Sequence, residues 1–520
     1  MNSSEAFSPI PIEKLFSLIE TDFTRNKEIF GIHEALFFNP DKSQNITIDM
    51  FGKTLQTPIG VAAGPHTQMA QNIISAWLCG ARYIELKTIQ TLDELEISKP
   101  CIDMQDEGYN CEWSQELRIS ESIEEYVKAW IIIHYLHHKL GFKTASPGVV
   151  FNMSVGYNYE GIINAKVQRF FHNMSDSSVL KQSMLETLSG YPLVYQIEIP
   201  DCISDNITLS TMHGCPPDEI EKIGHYLLKE KKLHTLIKLN PTLLGKEELR
   251  KILNETLQFK THVPDIAFEH DLKYNDAIGI INRLQQAADN EKLFFGVKLT
   301  NTLESINHKN IFPPKEEMMY MSGRALHPIS IQVVKKLQHE FKAKLNVSFS
   351  AGADCFNVSD LLACNLKPVT VCSDILKPGG YGRLQQYIEH LEANMKDLNC
   401  NSIEALTLNK ANHPQFETAV LHNISQYADE VLKNPAFRKN PYAEPSIKTQ
   451  LKLDLFDCIH APCVDTCPTN QDIPDYLYHT AYGDFDKAFE TILLKNPFPN
   501  VLGMACDHLC QAKCTMAISS

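Results

Sequence analysis

The stretch "DEIEKIGHYLLKEKKLHTLIKLNP", residues 218–241, places a helical pattern directly before a short apolar run. Similar β-rich runs recur along the chain, separated by helical patterns such as residues 122–140. These further runs cover residues 57–64, 82–88, 148–155, 293–301, 345–352 and 368–376. The alternation predicts parallel strands joined by helical crossovers.

The apolar runs lack strict alternation, as expected of strands buried on both faces. About seven or eight such units over roughly 400 residues suit an α/β fold of the (β/α)8 TIM-barrel type, which tolerates insertions beyond its usual ~250 residues. An open, doubly wound sheet is the alternative. We expect the barrel at residues 1–430, a polar linker with several prolines at 431–454, and a small α-helical unit at 455–520.

Several of these runs end in glycine or polar residues. A parallel barrel brings its strand ends to one face, where the active site is assembled, so these residues are expected to lie together. They are Ala63, Gly64, Lys87, Thr88, Asn152, Lys238, Thr300, Asn301, Gly352, Cys372 and Ser373.

The charge balance limits the classes of partner. The 520 residues include 48 basic and 63 acidic ones, a formal net charge of −15, which opposes nonspecific binding to nucleic acid or to an anionic membrane. No apolar run has the length of a membrane span, and the first residues carry no export signal. We therefore expect a cytoplasmic protein with small-molecule or protein partners.

Six of the fifteen cysteines crowd the end of the chain. Their spacing is C-x4-C-x3-C-P followed by C-x3-C-x3-C, whereas zinc sites usually carry C-x2-C pairs. Cubane iron–sulfur clusters take closely spaced thiolates, often with a proline after the last one. The pattern favours iron–sulfur ligation over structural zinc for Cys458, Cys463, Cys467, Cys506, Cys510 and Cys514.

The motifs "CIHAPCVDTCPTNQDIPDYL" (458–477) and "NPFPNVLGMACDHLCQAKC" (496–514) resemble the helical iron–sulfur domain of the dihydropyrimidine dehydrogenase and glutamate synthase family. In that family two 4Fe-4S clusters relay electrons to and from a flavin. The resemblance implies one cluster on Cys458, Cys463 and Cys514, and another on Cys467, Cys506 and Cys510. Each set is one ligand short: Leu455 stands at a family cysteine position, and the second set lacks its last ligand.

The first 400 residues resemble the FMN barrel of the dihydroorotate and dihydropyrimidine dehydrogenases. "PIGVAAGP", "ELKT", "FNMS", "IKLNP", "TNT", "MSGRALHPISI" and "VTVCSD" occur in the family's order. The resemblance implies that Lys238 is the cation near the flavin, that Lys87 and Thr88 contact its ring and ribityl chain, and that Ala351 alters a phosphate loop where the family has glycine. The implied FMN residues are Ala62, Ala63, Gly64, Lys87, Thr88, Lys238, Ser322, Gly323, Gly352, Cys372 and Ser373.

The motif "LSTMHGCPPDEIE", residues 209–221, resembles the family's catalytic loop. By that resemblance Cys215 is the acid or base that exchanges a proton with the substrate, and His213 is its possible neighbour. Asn152, Asn301 and Thr302 are implied to line the substrate pocket; ordinary strand-end capping is their alternative role.

The order of motifs over almost the entire chain is most similar to a branch of this family, the selenate reductase flavin/iron–sulfur subunits. There an FAD- and NAD(P)H-binding region follows the iron–sulfur domain. The resemblance implies a subunit that passes electrons between an NAD(P)H-linked flavoprotein and a small, heterocyclic substrate at FMN. Selenate is not the expected substrate, because oxyanion reduction is usually molybdenum chemistry. A non-catalytic electron-transfer scaffold and a truncated fragment of a larger reductase are the alternatives.

Overall fold

The computed structural model describes residues 8–43, 46–89, 91–93, 100–104, 107–111, 116–210, 214–308, 312–439 and 461–514. Eight parallel strands form a closed barrel whose spatial order follows the chain. The strands are β1 (Ile59–Val61), β2 (Tyr83–Glu85), β3 (Val150–Val155), β4 (Asn206–Ser210), β5 (His234–Leu239), β6 (Phe295–Leu299), β7 (Val347–Phe349) and β8 (Leu366–Val371). This confirms the predicted TIM barrel.

The barrel closes where its first strand, β1, pairs with its last strand, β8. Val371 of β8 lies opposite Val61 of β1, and the amide of Ala62 donates to the carbonyl of Val371 (2.9 Å). Most strand residues are fully buried. Burial on both faces explains why their sequences are near-continuous apolar runs.

A helix follows each barrel strand and packs outside it. The eight are α1 (Ala70–Leu78), α2 (Ile119–Lys139), α3 (Ala165–Ser175), α4 (Pro217–Lys229), α5 (Tyr274–Glu291), α6 (His327–Glu340), α7 (Val358–Ala363) and α8 (Arg383–Asp397). In α4, proline occupies the first turn, Asp218 and Glu219 lie at the amino end, and Lys229 lies in the last turn. This arrangement suits the unpaired amides and the dipole of the helix.

Further elements surround the barrel. The α-helices Ile12–Asn26, Tyr159–Ile162, Ser178–Glu186, Lys246–Arg250, Asp265–His270 and Ile403–Ala411 and two short hairpins, Glu28–Ile29 with Ile32–His33 and Ile48–Met50 with Lys53–Leu55, belong to this group. The helix Phe416–Lys433 packs on α6, and the amide of Lys439 donates to the carbonyl of Leu257 (2.8 Å). Ordered contacts with the barrel unit thus continue into the segment expected to be a linker, whose remainder, residues 440–454, lies outside the described residues.

An antiparallel sheet of four short strands stands at the carboxyl-terminal side of the barrel strands. Its order is Leu303–Ile306, Met318–Ser322, Gly108–Asn110 and Ile102–Asp103. Tyr320 lies opposite Asn110, and Ser322 opposite Gly108. The sheet therefore joins segments that are about 200 residues apart in the chain and adds a wall above the barrel.

The carboxyl-terminal unit is helical, as predicted. Its helices are Pro462–Thr466, Ile473–Ala481, Phe485–Leu493, Pro499–Met504 and Leu509–Ala512. Gly483, with φ +75°, separates the two longest ones, which pack together. Across the part of the chain that the structure describes, no helix combines the length and apolar composition needed to cross a bilayer.

Candidate functional site

A cavity lies at the carboxyl ends of the barrel strands, between the strand-end loops and the antiparallel sheet. Tyr109 and Asn110 form part of its wall from the sheet. The structure brings most of the predicted site residues together there. Those on its wall are Ala62, Ala63, Gly64, Lys87, Lys238, Thr302, Ser322, Gly323, Gly352, Cys372 and Ser373.

Two glycines form a tight backbone contact on one side of this cavity. Gly323 and Gly352 have φ values of +76° and +58°, in the left-handed region that favours glycine. A Cβ atom on Gly352 would lie 2.6 Å from the Gly323 carbonyl oxygen. The Ser322 and Ser373 hydroxyl oxygens are 2.9 Å apart beside them. Small residues, hydroxyls and exposed backbone make a cradle that fits a phosphate group.

The loop after β7 is held at the residue where the resemblance expected a change. The side-chain Nδ1–H of His327 donates to the carbonyl of Ala351 (2.7 Å), and Nε2 lies 2.7 Å from the Tyr427 hydroxyl. Burial lowers the pKa of His327 to about 4, so the ring is neutral. Ala351 itself lies on the cavity wall. Alanine is therefore accommodated at this position, while the neighbouring Gly352 supplies the left-handed turn.

The floor of the cavity is positively charged. Lys87 and Lys238 lie on its wall, and burial, together with the charge of Lys238, lowers the pKa of Lys87 to about 8. Beneath them Lys298 is fully buried, forms an ion pair with Glu85, and donates to the Thr370 hydroxyl (2.9 Å). Three lysines and one carboxylate at the floor favour an anionic ligand there, while Asp354 and Asp374 also lie on the cavity wall.

The Glu85–Lys298 pair was missed in the sequence. Both residues lie inside β-rich runs, "RYIELKT" and "LFFGVKLTN", where a charged side chain is unusual for a buried strand. That contrast was the available signal. The strand pairing that brings β2 and β6 to face each other across the barrel was not available from either run alone.

His66 is a further polar group at the cavity that the sequence motifs did not predict. Its side chain is buried on the cavity wall, and within the described residues its Nε2 atom has no hydrogen-bond partner. Burial lowers the pKa of His66 to about 4. The Cys372 sulfur lies 4.0 Å from the other ring nitrogen, and burial raises the pKa of this thiol to about 11. A neutral ring nitrogen without a partner suits a polar ligand edge.

Three predicted residues lie beside the cavity, not on its wall. The Thr88 hydroxyl is 2.8 Å from the Ser154 hydroxyl. Asn152 lies within β3, not at its end, where its amide donates to Asn206 (2.8 Å). Asn301 follows β6, and its side chain accepts from the Thr302 amide (3.1 Å). The roles predicted for these three stay predictions.

Cys215 follows β4 and is half-buried, also outside the cavity wall. Burial, aided by the charges of Glu219 and Asp218, raises its pKa to about 12, so the thiol keeps its proton at neutral pH. The preceding Gly214 donates its amide to Asp271 (3.2 Å). His213 lies outside the described residues. A protonated thiol is suited to proton donation, and this role of Cys215 stays a prediction.

The carboxyl-terminal unit has its own cavity, of about 330 Å³. Cys467, Cys506 and Cys510 lie on its wall with Ile473 and other apolar side chains. A single water-sized group needs only about 10–15 Å³. Among the residues that the structure describes, no three or more His, Cys, Asp or Glu side chains are close enough to hold one metal ion. This cavity fits a cluster of several atoms better than a single zinc ion.

Local hydrogen bonds favour the thiolate form of Cys467. Although burial opposes it, the Thr469 hydroxyl and three backbone amides lower the pKa of Cys467. The short helix carrying Cys463 packs on the helix that carries Cys510 and precedes Cys514. Burial raises the pKa of Cys463, and the charges of Cys514 and Cys510 both add to this. Cys458 lies outside the described residues. The division of the six cysteines into two ligand sets stays a prediction.

Two family models match the chain. Residues 30–424 match "Oxidoreductase YgfK, N-terminal TIM-barrel domain". Residues 448–520 match dihydropyrimidine dehydrogenase domain II, 4Fe-4S cluster. The second match begins within the expected linker and covers all six terminal cysteines.

Curated relatives are similar over different lengths. The proteins named "Putative oxidoreductase YgfK" of Escherichia coli K12 and O157:H7 are each 40% identical over an alignment of 531 positions that covers 98% of this chain. The chain spans 49% of their length. The NADPH-Fe(3+) oxidoreductase subunit beta of Geobacter sulfurreducens is 39% identical over 60 residues, covering 12% of this chain and 9% of that protein.

Among solved structures, a ligand-free dihydroorotate dehydrogenase of Eimeria tenella has a TM-score of 0.47 at 14% identity. The match covers 78% of this chain and 98% of that one.

Proposed function

Since the chain belongs to the family of the YgfK N-terminal TIM-barrel domain, we propose that it is a flavin- and iron–sulfur-dependent oxidoreductase subunit. It passes electrons between an NAD(P)H-linked flavoprotein and a small, heterocyclic substrate at the barrel. The cytoplasm is the expected compartment. The two 4Fe-4S clusters lie in the carboxyl-terminal unit, and FMN occupies the cavity at the strand ends.

One observation carries this proposal: a single cavity combines a cationic floor with a glycine cradle. Lys87 and Lys238 lie on its wall together with Gly323 and Gly352. A phosphate needs close backbone and hydroxyl groups, while a reduced flavin ring needs a nearby cation. Both requirements are met within the same walls, which supports FMN more than a simple phosphate ester.

Each of these residues, together with Cys215, has a separate role in the proposed reaction. Bound FMN would supply two-electron hydride chemistry. The cradle at Gly323 and Gly352 holds the phosphate, and Lys238 stabilises negative charge on the ring. Cys215, on the loop after β4 and outside the cavity wall, keeps a proton that it would deliver to the substrate. Within this proposal a heterocycle, not selenate, is the substrate, because oxyanion reduction is usually molybdenum chemistry.

The terminal thiols support the electron-transfer half of the proposal. Cys467, Cys506 and Cys510 surround one cavity, and Cys463 lies near Cys514 and Cys510. Iron–sulfur clusters carry single electrons, whereas the flavin exchanges pairs. A flavin beside clusters therefore converts between the two, and an FAD- and NAD(P)H-binding domain or subunit is the proposed electron donor.

Anaerobic purification of the chain tests the proposal. We expect extracted FMN, with iron and acid-labile sulfide in near-equal amounts and a visible spectrum of both cofactors. Zinc without sulfide would overturn the cluster assignment. FAD in place of FMN, or no flavin after reconstitution with FMN, would overturn the barrel assignment.

The variant Cys215→Ser tests the catalytic role. Under this proposal flavin binding is unchanged, while substrate-dependent flavin reoxidation falls by about 10²–10⁴-fold, as for loss of a general acid. Cys202→Ser, which removes an exposed thiol elsewhere on the barrel, is the matched control. Undiminished reoxidation in Cys215→Ser would remove this residue from the mechanism.

A further inference from the structure

Two cysteines face each other on the hairpin that walls the barrel cavity. The strands Ile102–Asp103 and Gly108–Asn110 pair with Ile102 opposite Asn110 and Asp103 opposite Tyr109. Continuing this register by one residue places Cys101 opposite Cys111, and the Cys111 amide donates to the Cys101 carbonyl (2.9 Å). The two residues thus form a directly opposed cross-strand pair.

The geometry of such a pair is close to that of a disulfide. Directly opposed residues of this hydrogen-bonded kind have Cα atoms about 5.5 Å apart, near the most common value in disulfides. Hydrogen-bonded pairs have their Cβ atoms at the wide end of the usual range, about 5.5 Å apart, so the two Cβ atoms must approach by about 1–2 Å to reach the disulfide range of ~3.5–4.5 Å. Both side chains are on the same face of the hairpin, because opposed residues share a face.

We propose that Cys101 and Cys111 form a reversible disulfide, a redox site separate from both the terminal cysteines and Cys215. The oxidant is a low-molecular-weight disulfide. This inference does not rest on the proposed flavin chemistry, since the two thiols and the added disulfide complete the reaction.

The surroundings assign different roles to the two thiols. Cys101 is partly exposed and lies near Lys87, whose positive charge favours a thiolate. Cys111 is buried, and burial raises its pKa to about 11. Cys101 is therefore the attacking group, and Cys111 is the resolving group.

The exchange balances in two steps. The Cys101 thiolate attacks the sulfur–sulfur bond of the oxidant RSSR, forms a mixed disulfide and releases one RS⁻. Cys111 then attacks the Cys101 sulfur, which forms the protein disulfide and releases a second RS⁻. Two electrons pass from the protein thiols to RSSR, and their two protons convert the released thiolates to RSH.

The site adjoins the cavity through the intervening residues. Ile102 and Asn110, next to the two cysteines, both lie on the cavity wall with Tyr109. A bond between Cys101 and Cys111 would fix these two strands against each other where they meet the cavity. Oxidation would thus restrict the motion of the hairpin at the wall of the cavity.

The test uses the purified chain with oxidised and reduced glutathione at graded ratios. Free thiols are then blocked with N-ethylmaleimide under acid quench. Lys99 precedes proline, and no other lysine or arginine lies between Lys87 and Arg118, so one tryptic peptide carries both cysteines. Mass spectrometry then counts the maleimides on that peptide.

We expect that peptide to carry two maleimides in reducing buffer and none, with two hydrogens lost, in oxidising buffer. Dithiothreitol should restore the reduced form. Cys101→Ser and Cys111→Ser should abolish the loss, while Cys202→Ser, at an exposed cysteine of the barrel, should leave it unchanged.

Two maleimides at every ratio that glutathionylates Cys202 would overturn the proposal. So would one maleimide with one bound glutathione in the unmodified sequence, since Cys111 would then not resolve the mixed disulfide. Circular dichroism of both serine variants distinguishes a lost disulfide from a lost fold.

Discussion

At the scale of single residues, the buried Glu85–Lys298 pair has the clearest energetic consequence. Both side chains are fully buried inside the barrel, where removing one partner leaves an uncompensated charge. The same pair places two fixed charges directly beneath the cavity floor. It therefore contributes to both the stability of the barrel and the electrostatics of the ligand site.

We expect Lys298→Met to lower the free energy of unfolding by about 3–5 kcal/mol, because Glu85 is then buried without its ion-pair partner. The double variant Glu85→Gln with Lys298→Met should recover much of this loss. Urea unfolding of the flavin-free chain measures both. Lys53→Met, which breaks the exposed pair with Asp205, is the control and should cost less than about 1 kcal/mol. If Lys298→Met and Lys53→Met lowered the free energy of unfolding equally, burial of the Glu85–Lys298 pair would not be the cause.

Gly352 offers a test of the backbone cradle. Gly352→Ala combines a left-handed φ of +58° with a Cβ 2.6 Å from the Gly323 carbonyl oxygen. Gly380→Ala has a similar φ of +51° but open space around the added atom. We expect the Gly352 variant to lose FMN retention, while the Gly380 variant keeps it and only loses about 1 kcal/mol of stability. Extracted flavin per chain and thermal unfolding distinguish them.

Asp354, on the cavity wall, predicts a pH dependence. Burial, together with the charge of Asp374, raises its pKa from 3.8 to about 6. Between about pH 4 and pH 6 the native state keeps a proton that the unfolded state has lost. The Asp354 contribution to stability therefore falls as the pH rises through this window and stays low above it.

The isosteric variant Asp354→Asn removes that titration. We expect it to gain stability relative to the unmodified chain as the pH is raised from 4 to 7, measured by denaturant unfolding at each pH. Its amide oxygen can still accept from the Phe356 and Asn357 amides, as Asp354 does. A constant difference between the two proteins across this range would contradict the assigned pKa.

Elements show how far the sequence predicts the fold. Seven of the eight barrel strands coincide with the apolar runs of the sequence. β4 did not stand out, because Asn206 and Thr208 interrupt its apolar residues. The structure gives the reason: both side chains are buried inside the barrel and hydrogen-bond Asn152 (2.8 and 2.6 Å). Internal polar pairing is invisible until the strands are adjacent.

The antiparallel sheet could not be predicted for a different reason. Gly108–Asn110 pairs with Met318–Ser322, so the pairing partner is about 200 residues away. Short segments of three to five residues carry too little pattern to identify such a partner. The sequence motifs located Ser322 and Gly323 through the resemblance. Tyr109 and Asn110, on the paired strand of the same cavity wall, were not predicted.

At the scale of the whole molecule, the terminal cysteines predict separable cofactors. We expect Cys467→Ser, Cys506→Ser and Cys510→Ser to share one phenotype, the loss of roughly four iron atoms per chain, because the three thiols surround one cavity. FMN content should not change. Iron, sulfide and flavin analysis measures all three. Cys400→Ser, at a buried cysteine of the barrel unit, is the control.

Different iron losses among the three variants would contradict the assignment of one cluster to this cavity. A double variant of Cys467 and Cys506 adds a second check: it should lose no more iron than either single variant, since both thiols serve the same cluster.

The pairing of β1 with β8 also determines when, during translation, the barrel can close. β1 can pair with β8 only after about 310 further residues have been made, from Ile59 to Val369. At translation rates of ~5–20 residues per second, β1 waits roughly 15–60 s for its partner. Gly64 and Ser373, on the same cavity wall, come from these two ends. The nascent chain therefore has no complete cavity to offer a cofactor until the barrel is almost fully translated, and cofactor capture becomes one of the last events in the maturation of this unit.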